Sequence, residues 1–161
     1  MVSIGKKVAN FSLPATGDKV FSLQDFLGTH LVLYFYPKDN TPGCTLEGQQ
    51  FAAAYASLRK AGANVLGVSR DNIKMHENFK AKLKLPFDLL SDADGILCRQ
   101  FDVIREKTLY GRKFIGIERS TFLLDKQGVL RQEWRKVRVK DHVDQVLLAV
   151  KSLPELPDHG K

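Results

Sequence analysis

Cysteine is scarce in this chain. Its two cysteines, Cys44 and Cys98, are too few for a disulfide framework or a four-thiolate metal site. His30, His76, His142 and His159 are scattered without metal-ligand spacing, so no zinc or iron site is indicated and no cofactor is expected. Long hydrophobic runs are also missing. The longest, residues 31–36, is far too short to span a bilayer. The first ten residues carry lysines but no apolar stretch, so a secretory leader is not expected and the protein reads as cytoplasmic. No repeat, low-complexity segment or linker is visible. The 161 residues read as one domain over 1–153, followed by a flexible tail over 154–161.

Acidic residues are outnumbered, giving a formal net charge of +7. The excess is concentrated where Arg131, Arg135, Lys136, Arg138 and Lys140 surround Trp134, the single tryptophan. A basic binding module could look like this. A solvated strand end leading into the last helix explains the same residues, and no nucleic-acid partner is expected.

Hydrophobic periodicity predicts alternating strands and helices. Residues 11–22, with a turn at Gly17-Asp18, read as a short hairpin. Residues 31–36 are apolar on both faces, as in a central strand covered by helices. A helix over 42–60 ends at Gly62, and a strand follows over 64–69. Asp71 suits the cap of a helix that turns Ile73, His76, Phe79 and Leu83 inward and stops at Pro86. A strand over 87–90 comes next, and Asp92 or Asp94 starts a helix reaching about Phe101. Residues 116–125 and 129–134 read as two strands around Gly128, and 141–153 as a closing amphipathic helix.

The chemistry concentrates at residues 34–47. A buried strand ends at Pro37, Thr41 suits an N-cap, and Pro42 suits the first helical turn, where its missing N–H costs nothing. Cys44 then falls at the third helical position, near unpaired backbone N–H groups and the positive end of the helix dipole. That position favours the thiolate, the nucleophilic form of cysteine. Phe51, Ala54, Tyr55 and Leu58 form the apolar stripe of this helix, with Cys44 and Glu47 on the same side. A free cysteine is more often a small buried hydrophobe. The helix start and the flanking polar residues favour the nucleophile here. Ionisation alone raises the reactive fraction only about thirtyfold, so an electrophile must also be oriented.

Arg119 is a second anomaly. Strand alternation puts it on a face with Ile117, Thr121 and Leu123, where a cation needs an anionic partner. A thiolate at Cys44, with Glu47 to orient the guanidinium, would supply one.

The spacing Pro37-x-x-x-Thr41-x-x-Cys44 resembles the peroxiredoxin active-site pattern, and Arg119 stands where that family has its active-site arginine. The strings from Phe35 to Thr45 and from Trp134 to Val137 resemble the bacterioferritin comigratory protein, or peroxiredoxin Q, branch. The resemblance covers roughly residues 5–153. It implies an α/β, thioredoxin-like fold, with a central mixed sheet flanked by helices and an N-terminal hairpin extension. It implies a thiol-dependent peroxidase that reduces hydrogen peroxide and organic hydroperoxides through a sulfenic acid at Cys44. Thr41 and Arg119 would hold the peroxide, Pro37 would close the pocket, and Glu47 would support Arg119. Thioredoxin, glutaredoxin or glutathione would restore the thiol without metal, haem or flavin, in a monomer or weak dimer.

The chain departs from the family at the second cysteine. Gln49 stands five residues after Cys44, where many members carry a resolving cysteine, and residues 72–85 contain none. Cys98 has the apolar neighbours Leu97 and Phe101, so it reads as a structural cysteine rather than a resolving one. A dithiol oxidoreductase would need a first cysteine where Thr41 stands, which argues against that alternative.

Overall fold

The structure, a computed structural model, describes residues 1–153. The expected tail over 154–161 lies outside them. β1 (Ser12–Ala15) and β2 (Lys19–Ser22) form the expected hairpin, with Gly17 and Asp18 both at positive φ in its turn. β3 (His30–Phe35) is buried along its whole length. α1 (Pro42–Lys60), β4 (Ala63–Ser69), α2 (Ile73–Leu83), β5 (Leu89–Ser91) and α3 (Ile96–Gln100) follow. The chain continues through β6 (Ile104–Leu109), β7 (Arg112–Ile117), β8 (Ser120–Leu124), β9 (Leu130–Trp134) and α4 (His142–Ser152).

Seven strands form one mixed sheet in the order β2-β1-β5-β4-β3-β8-β9. β3 pairs in parallel with β4 and antiparallel with β8, so Leu33 has Leu66 on one side and Phe122 on the other. Because side chains alternate along a strand, β3 supplies two separate cores. Leu31, Leu33 and Phe35 pack with Leu97, Cys98 and Phe101 on the α3 side. Val32, Tyr34 and Tyr36 pack with Cys44, Phe51, Phe79 and Val146 on the side of α1, α2 and α4. The helix-flanked mixed sheet of the thioredoxin-like class is the architecture found.

Several local expectations change. Asn72, not Asp71, caps α2, accepting a hydrogen bond from Met75 N at 2.9 Å. α2 ends before Pro86, because Lys84 adopts a left-handed φ of 54°. The fifth strand is displaced to Leu89–Ser91. The carboxylate of Asp92 accepts from Leu97 N and Cys98 N and so fixes the start of α3. The expected strand over 116–125 is broken: β7 ends at Ile117 and β8 begins at Ser120. β7 pairs with β6 in a hairpin of its own, which hydrophobic periodicity does not reveal. Of the basic cluster, Arg131 pairs with Asp125, while Arg135 pairs with Glu133 and donates to the carbonyls of Phe101 and Asp102. These two cations serve the fold. No described helix is long and apolar enough to cross a membrane.

Candidate active site

Thr41 occupies the N-cap of α1 and Pro42 its first turn, which sets Cys44 at the third helical position with 2% of its surface exposed. The Thr41 hydroxyl makes no capping bond. It donates instead to the Lys38 carbonyl at 2.8 Å, closing the loop over residues 37–41 on itself. Its oxygen keeps lone pairs for another donor. Pro37 follows β3 on the exposed side of the loop.

Arg119 lies in the break between β7 and β8 rather than within a strand. The break is held from two sides. Glu118 N donates to the Val103 carbonyl at 2.7 Å, and Val137 N donates to the Arg119 carbonyl at 3.0 Å. From there Nη1 reaches Glu47 Oε1 at 2.6 Å and Nη2 reaches Cys44 Sγ at 3.4 Å. Gly43 leaves room for this, since a Cβ at that position would stand 3.0 Å from Nη2. The structure thus brings Cys44, Glu47 and Arg119 into one contact group.

Glu47 is fully buried, and its Oε2 has no hydrogen-bond partner among the described residues. Burial pushes its carboxyl up to about 7, against the downward pull of the Arg119 charge and hydrogen bond. Burial also works against the charge on Arg119, but Glu47 and Cys44 outweigh it and raise its pKa further. Below these groups, Tyr34 stacks on Phe51 at 4.5 Å between ring centres. Burial pushes the Tyr34 hydroxyl well up, with Glu47, Cys44 and Asp39 adding to the shift. His142 Nε2 lies 2.8 Å from the Thr121 hydroxyl. Burial, then the Arg119 charge, lowers this imidazole to about 4, so it is neutral at physiological pH.

Cys98 is on the far side of the sheet, in the core with Leu33 and Phe35. Burial pushes its thiol well up, and the Asp92 carboxylate adds to the shift. A further buried group behind the loop leaves no local signal in the chain. Asp39 is 2% exposed and lies 2.7 Å from the ring of His76, which the inward stripe of α2 placed in the core without a partner. Separation by 37 residues hides this pair from local reading.

A buried thiol at a helix start lies against an arginine whose other nitrogen is paired with a buried carboxylate, on a thioredoxin-like sheet. Residues 4–133 match the AhpC/TSA family, and the chain belongs to it. It is 53% identical over 146 residues to Peroxiredoxin Bcp of Xanthomonas campestris, covering 89% of this chain and 91% of that one. It is 45% identical over 154 residues to Peroxiredoxin Bcp of Bacillus subtilis, covering 96% and 98%. Among solved structures, Xanthomonas campestris peroxiredoxin Q superposes with a TM-score of 0.84 at 53% identity, over 88% of this chain and 89% of that one. A mutant of Xylella fastidiosa peroxiredoxin Q superposes with a TM-score of 0.89 at 44% identity, over 94% and 96%. Within the family the chain falls in the bacterioferritin comigratory protein, or peroxiredoxin Q, branch and is a thiol-dependent peroxidase.

Proposed function

We propose that Cys44 is the nucleophile of this peroxidase and that it reduces hydrogen peroxide and organic hydroperoxides. The observation that carries the assignment is the 3.4 Å contact from Arg119 Nη2 to Cys44 Sγ, with Nη1 anchored on Glu47. The Cys44 thiolate attacks one peroxide oxygen, and a sulfur–oxygen bond forms as the oxygen–oxygen bond breaks. The departing oxygen leaves as water or an alcohol after taking a proton, and sulfur is oxidised to the sulfenic acid. Arg119 holds the negative charge, first on sulfur and then on the departing oxygen. The Thr41 oxygen, its own hydrogen engaged by the Lys38 carbonyl, accepts from the peroxide O–H and orients it. The Cys44 backbone N–H is a further donor at the helix start, and Pro37 closes the pocket.

An external thiol then attacks the sulfenic acid, giving water and a mixed disulfide, and a second thiol regenerates Cys44. Thioredoxin, glutaredoxin or glutathione can fill this role. All electrons pass through sulfur, so the reaction as written uses no metal, haem or flavin. Alkyl peroxide reduction activity is ascribed to the bacterioferritin comigratory protein of Xanthomonas campestris, which is 52% identical to this chain, and that supports organic hydroperoxides as substrates here. We place the enzyme in the cytoplasm as a monomer or weak dimer, with residues 1–153 as one catalytic domain. Intact mass after one equivalent of peroxide tests the assignment: one added oxygen mapped to Cys44 is expected. Unmodified Cys44 in protein that has consumed peroxide would overturn it.

A further inference from the structure

His76 has no exposed surface, and each nitrogen of its ring faces an oxygen. Nε2 lies 2.9 Å from the Leu90 carbonyl, and Nδ1 lies 2.7 Å from Asp39 Oδ2. A carbonyl only accepts, so Nε2 carries a hydrogen. Two lone pairs do not face each other at 2.7 Å in a dry site, so a second hydrogen lies between Nδ1 and Asp39 Oδ2. The other carboxylate oxygen of Asp39 accepts from the Tyr36 hydroxyl at 2.7 Å. The pair therefore holds one proton more than a neutral imidazole beside an ionised carboxylate, and its net charge is zero.

We propose that Asp39 and His76 share a buried proton that fastens the loop over residues 37–41 to α2 and β5, making His76 a positioning residue for Thr41 and Cys44. The proposal rests on the peroxidase reading of the Cys44 site. Asp39 is the one residue of that loop turned into the core, while Pro37, Lys38 and Asn40 are exposed. Asn40 adopts a left-handed φ of 64°, which turns the chain between Asp39 and Thr41. Asp39 N also donates to Asp71 Oδ2 at 2.8 Å. Apart from a 3.4 Å contact from Lys82 to Asn40, the side-chain hydrogen bonds that tie the loop to α2 and the segment before it run, among the described residues, through Asp39.

The shared proton also has an electrostatic consequence. Burial raises the Tyr34 hydroxyl most, and Glu47, Cys44 and Asp39 add to it in that order, so three acidic groups act on one dry compartment beneath α1. Arg119 answers Glu47, and the proton held with His76 answers Asp39. Without that proton an uncompensated anion would press on the compartment where Cys44 ionises. Asp39, Asp71 and His76 stand close enough to enclose a cation, with ligand atoms within 4.8 Å of one another. The facing atoms are already engaged, since Asp71 Oδ2 accepts from Asp39 N and from the Ser69 hydroxyl. The proton fills the place a cation would take.

NMR of the reduced full-length enzyme, labelled with nitrogen-15 in its histidine rings, tests the proton directly. A far-downfield, exchange-protected hydrogen correlated with His76 Nδ1 is expected, and it should vanish in Asp39→Asn. Its absence from the parent would overturn the proposal. The second measurement is the rate of peroxide reaction at Cys44, followed separately from the reduction step. His76→Gln is expected to slow it by about tenfold or more, and adding Asp39→Asn should restore most of the loss by removing the unanswered carboxylate. A parental rate in His76→Gln, or losses that add in the double variant, would contradict the positioning role. If His76→Gln does not fold, the NMR signal of the parent and of Asp39→Asn decides the proton, and the Asp39→Asn rate decides the positioning role: a slowed reaction at Cys44 supports it and a parental rate overturns it. That signal is read without turnover, so it stands or falls independently of whether Cys44 is the nucleophile.

Discussion

One guanidinium holds both Glu47 and Cys44: Arg119 Nη1 is 2.6 Å from the carboxylate, and Nη2 is 3.4 Å from the sulfur. The carboxylate fixes the plane of the guanidinium, and in the proposed mechanism the second nitrogen follows charge as it moves from sulfur to oxygen. Arg119→Met should therefore slow peroxide attack by roughly 100- to 1,000-fold, the usual loss on removing one preorganised donor to a developing oxyanion. Stopped-flow competition for hydrogen peroxide measures this, and a rate within a few fold of the parent would remove Arg119 from the mechanism.

Glu47 makes activity and stability run in opposite directions with pH. Its folded pKa is raised from 4.5 to about 7, so the folded state holds the proton more firmly than the unfolded chain. The resulting stability is fully present below about 4.5 and is lost as pH rises through about 7, a change on the order of 3 kcal/mol. Peroxide attack should strengthen over the same rise, because only the ionised carboxylate orients Arg119 fully. Glu47→Gln should flatten both profiles between about pH 5 and 8. Urea midpoints and single-turnover rates measured across that range decide the matter, and unchanged slopes would contradict it.

His142 has the opposite sign. Its pKa is lowered from 6.5 to about 4, so its contribution is present above 6.5 and lost as pH falls through about 4. His142→Gln, which keeps a partner for Thr121, should reduce the acid-induced loss of stability in that window. Thermal melts at stepped pH provide the readout. An identical acid limb in the variant would show that other groups set it.

Cys44→Ser should abolish peroxide turnover while the fold persists, and Cys98→Ser should retain turnover with an external thiol. Oxidised parent protein should yield a sulfenic acid or a mixed disulfide at Cys44. The sheet itself separates the thiols, because Cys44 packs with Val32 and Tyr34 while Cys98 packs with Leu33 and Phe35. A disulfide needs Cα atoms within about 7 Å. A Cys44–Cys98 cross-linked peptide as the main product, found in monomeric protein, would make Cys98 the resolving cysteine.

Much of this is legible in the residues. α1 runs from Pro42 to Lys60 as its punctuation predicts, because a proline in the first turn and a glycine two residues past the end mark it locally. The contact of Cys44 with Arg119 is anticipated too, but for an imperfect reason. Continuous strand alternation puts Arg119 on an apolar face, whereas the chain breaks at Glu118–Arg119 through bonds to Val103 and Val137 that no local pattern contains. The β6–β7 hairpin escapes notice because Arg105, Lys107, Arg112 and Lys113 interrupt any apolar stripe, and both strands are largely exposed. Asp39 and His76 escape for a different reason: a buried pair distant in sequence looks like a loop acid and a core histidine until the fold joins them.

Trp134 acquires a practical use from its place in the fold. The chain's only indole stands 5.8 Å, ring centre to ring centre, from the neutral imidazole of His142, which in turn lies edge-on to Phe51 of the helix that carries Cys44. Movement of that helix, or protonation of that ring, will alter the indole's emission. The enzyme thus carries an intrinsic optical label packed against the side-chain cluster that holds Cys44. Any change at that contact can be followed in a cuvette with no dye attached and no residue replaced.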